Sequence, residues 1–174
     1  MRTTPKIAAG FEAITEEGIE RVDILITHAL LDSLFSIFRT MVNLRIRPGK
    51  PVLKGDDRGM GDVSAMAAMV SARAQGSVAL SLPTVAVRKV ALNMLGEDVD
   101  GAGREGQDLV GELTNMLVGG AKAIMVDKGY DFDMRTPQLY SGKEHRIAHP
   151  YNGATVLLPV GLEDTQFHLE LNFK

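Results

Sequence analysis

An α/β (α+β) fold is predicted for the 174-residue chain: two long helices and a shorter one packed on a mostly antiparallel sheet. Three observations carry that expectation. Residues 20–42 and 107–128 repeat their apolar side chains at the spacing of one helical face. Residues 166–173 alternate strictly, placing Phe167, Leu169, Leu171 and Phe173 on one side of a strand. Residues 63–70 and 77–82 are joined by a turn at 71–76, the pattern of an antiparallel hairpin.

In chain order, residues 1–21 mix Pro, Gly and charge without a period, so they read as an N-terminal extension to a single domain, 22–174. The first helix begins near Glu20, with Ile24, His28, Leu31, Leu34, Phe35, Phe38, Met41 and Val42 on one face. It must end before Pro48, and the alternation of Leu44 and Ile46 with Arg45 and Arg47 points to a strand leaving the helix directly. Pro51 to Lys54 and a Gly/Asp loop, 55–61, precede the hairpin. Pro83 suits the start of a short helix because its missing N–H is not needed there. Val87, Val90, Ala91, Met94 and Leu95 give that helix its apolar face, and Gly96 is its expected stop. After a polar loop comes the long helix, and then Tyr130, Phe132 and Met134 alternate with polar residues as a second strand leaving a helix. Further strands are expected at 145–149, 154–160 and 166–173. Pro159 cannot donate to a ladder, so its strand should be an edge or carry a bulge there.

Composition narrows the function. Lys and Arg number 19 against 22 Asp and Glu, a net charge of −3, which argues against a nucleic-acid partner. The absence of Cys excludes disulfides, thiolate metal sites and thiol catalysis. Neither a leader nor an apolar run of about 18 residues is evident, so a cytoplasmic protein with no membrane contact is expected. His145, His149 and His168 raise the reading of a metal site. On a strand, however, positions 145 and 149 would lie about 13 Å apart, and surface strand histidines are the expectation. His28, on an apolar helical face, reads as a core or interface residue.

A faint internal repeat is also present. Ile46-Arg47 followed by Leu53-Lys54-Gly55, after a long helix, echoes Met134-Arg135 followed by Tyr140-Ser141-Gly142, an offset of 88 residues on Ile46 and Met134. Chance or duplication would each produce it.

The long helix carries the most specific signal. Asp108, Glu112, Asn115 and Gly119 fall within about 60° of one another around its axis, while Leu109, Leu113, Met116, Leu117, Gly120, Ala121 and Ile124 take the other side. Each glycine costs a helix about 1 kcal/mol relative to Ala. Gly119 on the polar face fits close approach by another backbone; Gly120 fits packing within the fold. The bland alternative is a solvated surface with two glycines easing internal packing. Two carboxylates and an amide contain no activated nucleophile. A carboxamide can still orient a water by donating one hydrogen bond and accepting another, which is much of what phosphoryl hydrolysis requires when metal and phosphoryl group are already assembled.

Asp108, Glu112, Asn115 and Pro137 together resemble the signature of the CheX/CheC/FliY phosphatases of bacterial chemotaxis: Asp or Ser, three residues, Glu, two residues, Asn, then Pro about 22 residues on. Here 21 residues intervene before the proline. The segments GKPVLKG (49–55), GSVALSLP (76–83), NMLGED (93–98), ELTNMLVGGAK (112–122) and GYDF (129–132) extend the resemblance, most closely to CheX. It implies two pseudo-symmetric halves and hydrolysis of the aspartyl phosphate on a CheY-type receiver. By the same resemblance Asn115 aligns the attacking water, Glu112 pairs with a receiver lysine, Asp108 supports the site and Pro137 shapes the adjoining loop. Mg²⁺ is expected in the receiver, with no cofactor or metal held by this chain. Under the 88-residue offset Glu20, Ile24 and Thr27 replace the stripe in the first helix, so one active site is expected, as in CheX. A homodimer joined through sheet edges follows. The alternative is a noncatalytic CheC-like module that binds a receiver without hydrolysing its phosphate.

Overall fold

The computed structural model describes residues 22–174; the extension expected at 1–21 lies outside the described residues. Two runs of the same elements build the domain. The first is helix α1 (Val22–Ile37), strands β1 (Ile46–Pro48) and β2 (Val52–Lys54), and the hairpin β3 (Val63–Val70) and β4 (Gln75–Leu82). The second is helix α3 (Arg104–Val126), strands β5 (Asp133–Met134) and β6 (Gln138–Ser141), and the hairpin β7 (Thr155–Leu162) and β8 (Thr165–Phe173). Helix α2 (Thr84–Leu95) links the two. The strand order is β1-β7-β8-β4-β3-β5, with β2 also on β7 and β6 also on β3, and every pairing is antiparallel. Each half therefore lends its two short strands to the other half's hairpin, and the repeated element order fits the faint repeat in the sequence.

Local chemistry sets the element ends. α1 finishes in a π-helical turn, Phe38–Val42, closed by Asn43 in the left-handed region (φ 57°), and the chain passes into β1 as expected. Pro83 caps α2 in an extended conformation just before its first residue, and the orphan Thr84 N–H donates to the Asp62 carboxylate at 2.8 Å. It stops at Gly96, where φ is 71°. Leu95 departs from expectation: it is 55% exposed, and Ala86 joins Val87, Val90 and Ala91 on the buried face instead.

Helices α1 and α3 cover one face of the sheet. Ile26, Leu30, Leu34, Leu113, Leu117 and Met125 meet Leu80, Leu82, Leu158, Phe167 and Leu169, and Phe38 stacks on Phe167 with ring centroids 5.2 Å apart. Each such side chain contributes about 1.5–3 kcal/mol when fully buried. Both long helices (Ile24–Val42 with its π turn, and Arg104–Val126) have the length and mean hydropathy of a membrane span, contrary to the expectation of none. Their apolar faces are spent on the sheet.

The other face differs most from expectation. Residues 145–149 form no strand; a single bridge, Arg58 to Arg146, and hydrogen bonds from Ile147 N–H to Asp57 O and from Gly59 N–H to His145 O lay them across the sheet as a cover. Their alternation records residues pointing into that layer, with Ile147 packed on Met66 and Ala79. The histidines are consequently not surface strand residues. His145 Nε2 is hydrogen-bonded to Ser64 Oγ (2.6 Å), which also meets Ser81 Oγ (2.5 Å). His149 Nδ1 is bonded to Ser77 Oγ (2.6 Å), and its Nε2 lies 2.9 Å from the fully buried Glu170, which also pairs with Lys54 at 2.5 Å. β8 alternates as expected, yet His168, Glu170 and Asn172 are buried along with its apolar residues because both faces of the sheet are covered.

Pro159 sits neither at an edge nor in a bulge of its own strand. Residues 49–51 bulge opposite it, three residues facing the two at 158–159, and Gly49 N–H donates to Pro159 O at 2.7 Å. The carbonyl and nitrogen of one strand residue point to the same side, so the missing N–H of Pro159 faces the break in the ladder and costs no bond.

Burial holds the imidazole pKa of His168 below its ordinary value of 6.5, with Glu170 opposing the shift and Lys54 reinforcing it. The unfolded chain then takes up that proton first, so the contribution is complete above 6.5 and is lost as pH falls from there through the folded value. Denaturant midpoints are expected to decline as pH falls below about 6.5, with a shallower slope in His168→Gln.

Candidate functional site

Helix α3 presents its polar stripe because its opposite side is committed to packing. Leu109, Val110, Leu113, Thr114, Leu117, Val118, Ala121 and Met125 are buried. Thr114 is accommodated by donating its hydroxyl to Val110 O at 2.8 Å. At Gly120 a Cβ would collide with Ser33 Oγ of α1, and that hydroxyl donates to Leu117 O at 2.8 Å. Gly120 thus serves close helix packing, as the sequence indicates. A Cβ at Gly119, by contrast, would meet only Met134 Cε at 3.8 Å, an ordinary contact. Packing within the described residues does not demand glycine there.

Asp108, Glu112 and Asn115 are all exposed. The side-chain hydrogen bonds of α3 among the described residues come from Gln107 and Thr114, leaving the stripe unengaged. Like charges at Asp108 and Glu112, four residues apart, cost a helix about 0.2–0.5 kcal/mol, so the pattern does not serve helix stability. The three side chains form one wall of a groove of about 380 Å³, and the second wall is Met134 to Pro137 with Leu139. Four of the five expected site residues, Asp108, Glu112, Asn115 and Pro137, come together here; Gly119 lies outside the groove lining on the same helical face.

The second wall is a bulge. Residues 135–137 stand between β5 and β6 as three residues facing Ala67 and Ala68 of β3, and Arg135 N–H donates to Ala68 O at 3.3 Å. This is the arrangement at 49–51, repeated with the equivalent hydrogen bond. Pairing the two bulges matches Pro51 to Pro137, an offset of 86 that replaces the 88 expected from Ile46 and Met134. On the 86-residue offset Glu112 and Asn115 correspond to Ile26 and Ala29, both buried. On the 88-residue offset they correspond to Ile24 and Thr27, while Glu20 lies outside the described residues. On either registration the first half lacks the Glu and Asn pair. Bulges re-aim side chains and recur beside active sites, and Pro137 restricts Thr136 to extended conformations, so the wall has a defined shape.

Sequence reasoning missed β6 and with it Leu139 and Gly111, whose contact closes the groove: a Cβ at Gly111 would lie 2.9 Å from Leu139 Cδ2. Four residues with one inward apolar side chain are too short to register as a strand. Arg135 and Thr136 were missed as site residues, although they are the two residues before Pro137.

Among known proteins, residues 63–161 match the family described as chemotaxis phosphatase CheX. The chain is similar to a CheC-like superfamily protein from Shewanella sp. PV-4, with 39% identity over 86% of this chain and 97% of that one and a TM-score of 0.78. It is similar to the chemotaxis protein CheX from Vibrio vulnificus at 38% identity over 86% and 99% of the two chains, TM-score 0.77. It shares its fold, at 22% identity over 85% and 97% and a TM-score of 0.69, with a chain of the CheX-CheY-BeF3-Mg²⁺ complex from Borrelia burgdorferi. No curated protein matches.

The two adjacent glycines give a direct check on this geometry. Gly119→Ala is expected to raise stability by up to about 1 kcal/mol through helix propensity, whereas Gly120→Ala is expected to lower it by about 1–3 kcal/mol by forcing α1 and α3 apart. Opposite shifts in thermal midpoint would distinguish them.

Proposed function

The chain belongs to the CheX family of chemotaxis phosphatases, and from that premise we propose that it hydrolyses the aspartyl phosphate of a CheY-type response regulator, with Asn115 as the residue that orients the attacking water. The observation that carries this reading is the exposed, unengaged pair Glu112 and Asn115, one helical turn apart beside the groove. An amide held on a rigid helix can enter a partner's site with little loss of side-chain freedom. There its carbonyl accepts a hydrogen bond from water, and the water oxygen attacks phosphorus in line as the bond from phosphorus to the aspartyl oxygen breaks. Inorganic phosphate and the free aspartate are the products. Mg²⁺ held by the receiver supplies charge neutralisation; the Borrelia burgdorferi complex, which contains CheY, BeF3 and Mg²⁺, supports that division of labour.

Glu112 is proposed to pair with a receiver lysine and fix the docking register. Asp108, one turn earlier, supports the same face, Gly119 leaves room for the receiver backbone, and Pro137 holds the opposite wall. The site belongs to the second half alone, and a homodimer completes the proposal. β2 and β6 are short outer strands, with Val52 and Leu53 exposed on β2, which supports pairing through sheet edges. Sedimentation velocity should return a dimer; a monomer at micromolar concentration would rule this out.

Phosphate release from a phosphorylated receiver tests the mechanism. Asn115→Ala should slow it on the order of 100-fold with the fold intact, and Glu112→Ala should chiefly weaken receiver binding. Wild-type turnover in Asn115→Ala would remove Asn115 from the chemistry.

A further inference from the structure

We propose that Arg135 is a docking residue of this site, its guanidinium meeting the anionic surface around the partner's phosphorylated aspartate and setting how tightly the partner is held. The inference rests on the phosphatase reading above. Arg135 is the cation in a groove whose other charged lining residues are Asp108 and Glu112. Two carboxylates alone would repel an acidic, phosphate-bearing surface, and one guanidinium placed across from them offsets that repulsion. Its presentation is built into the backbone. Arg135 is the first residue of the bulge, tied to β3 by its N–H, and two residues later Pro137 stiffens the wall. The matching bulge in the first half has Gly49 at this position and carries its cation, Lys50, one residue later, in the place of Thr136, so the half without the Glu and Asn pair presents its charge differently. Arg73, by contrast, lies 4.3 Å over the Tyr130 ring and donates to Gly129 O, and neither it nor Lys122 lines the groove. Arg135 is exposed and has no ion pair among the described residues.

The test measures KM and kcat for phosphate release, together with Kd for the receiver loaded with beryllofluoride and Mg²⁺, at low and high ionic strength. Arg135→Ala should raise KM and Kd about tenfold at low salt and leave kcat within about twofold. The gap should narrow at high salt as screening grows, and Arg135→Lys should recover most of the affinity because charge is what matters. Unchanged KM and Kd in Arg135→Ala, a gap insensitive to salt, or a fall in kcat at constant KM would overturn the inference. If the wild type accelerates release and Asn115→Ala does not, an unaffected Arg135→Ala removes this inference alone. If the wild type accelerates nothing, both readings fall.

Discussion

The close approach of α1 and α3 governs how the molecule presents its site. Where Gly120 leaves out a side chain, Ser33 of α1 fills the space and donates its hydroxyl to the Leu117 carbonyl, a bond buried between the helices. A carbonyl already engaged in a helix has a second lone pair for such a bond. The contact fixes α3 in rotation as well as distance, because a turn about its axis would drive a β-carbon into Ser33 or pull Leu113 and Leu117 from the core. With the rotation set, Asp108, Glu112, Asn115 and Gly119 can only face outward.

The second constraint is the exchange of short strands between the halves. β1 and β2 complete the hairpin of the second half, and β5 and β6 complete that of the first, so neither half has a finished sheet alone. Each exchange carries a three-against-two bulge with the same backbone hydrogen bond, Gly49 to Pro159 in one half and Arg135 to Ala68 in the other. On this common frame the halves diverge. Buried Ile26 and Ala29 stand in the first helix where the second carries an exposed carboxylate and amide.

Much of this was legible in the residues. The periods of α1 and α3, the β3–β4 hairpin and the alternation of β8 are local patterns enforced by burial on one side, and each emerged close to its expected place. The stripe on α3 was legible for the same reason, since helical geometry converts spacing into a face without reference to the rest of the chain. The cover strip 142–154 was not. His145, Ile147 and His149 alternate because they point into a layer beneath the sheet, and an alternating pattern does not reveal whether a ladder partner exists. Ser64 and Ser77, on the hairpin, are the buried partners of those histidines, and Ser81 is bonded to Ser64.

The sequence by itself determined the two long helices, the β3–β4 hairpin, β8, the family resemblance and the face on which Asp108, Glu112 and Asn115 stand, because these depend on interactions among residues close in the chain. Only the tertiary structure decided that Arg135, Thr136 and Leu139 complete a groove beside that face, that the two bulges register at 86 residues, and that the sheet is covered on both sides. Those outcomes depend on which distant segments share a ladder, and a single bulged residue shifts such a pairing while leaving the local pattern unchanged.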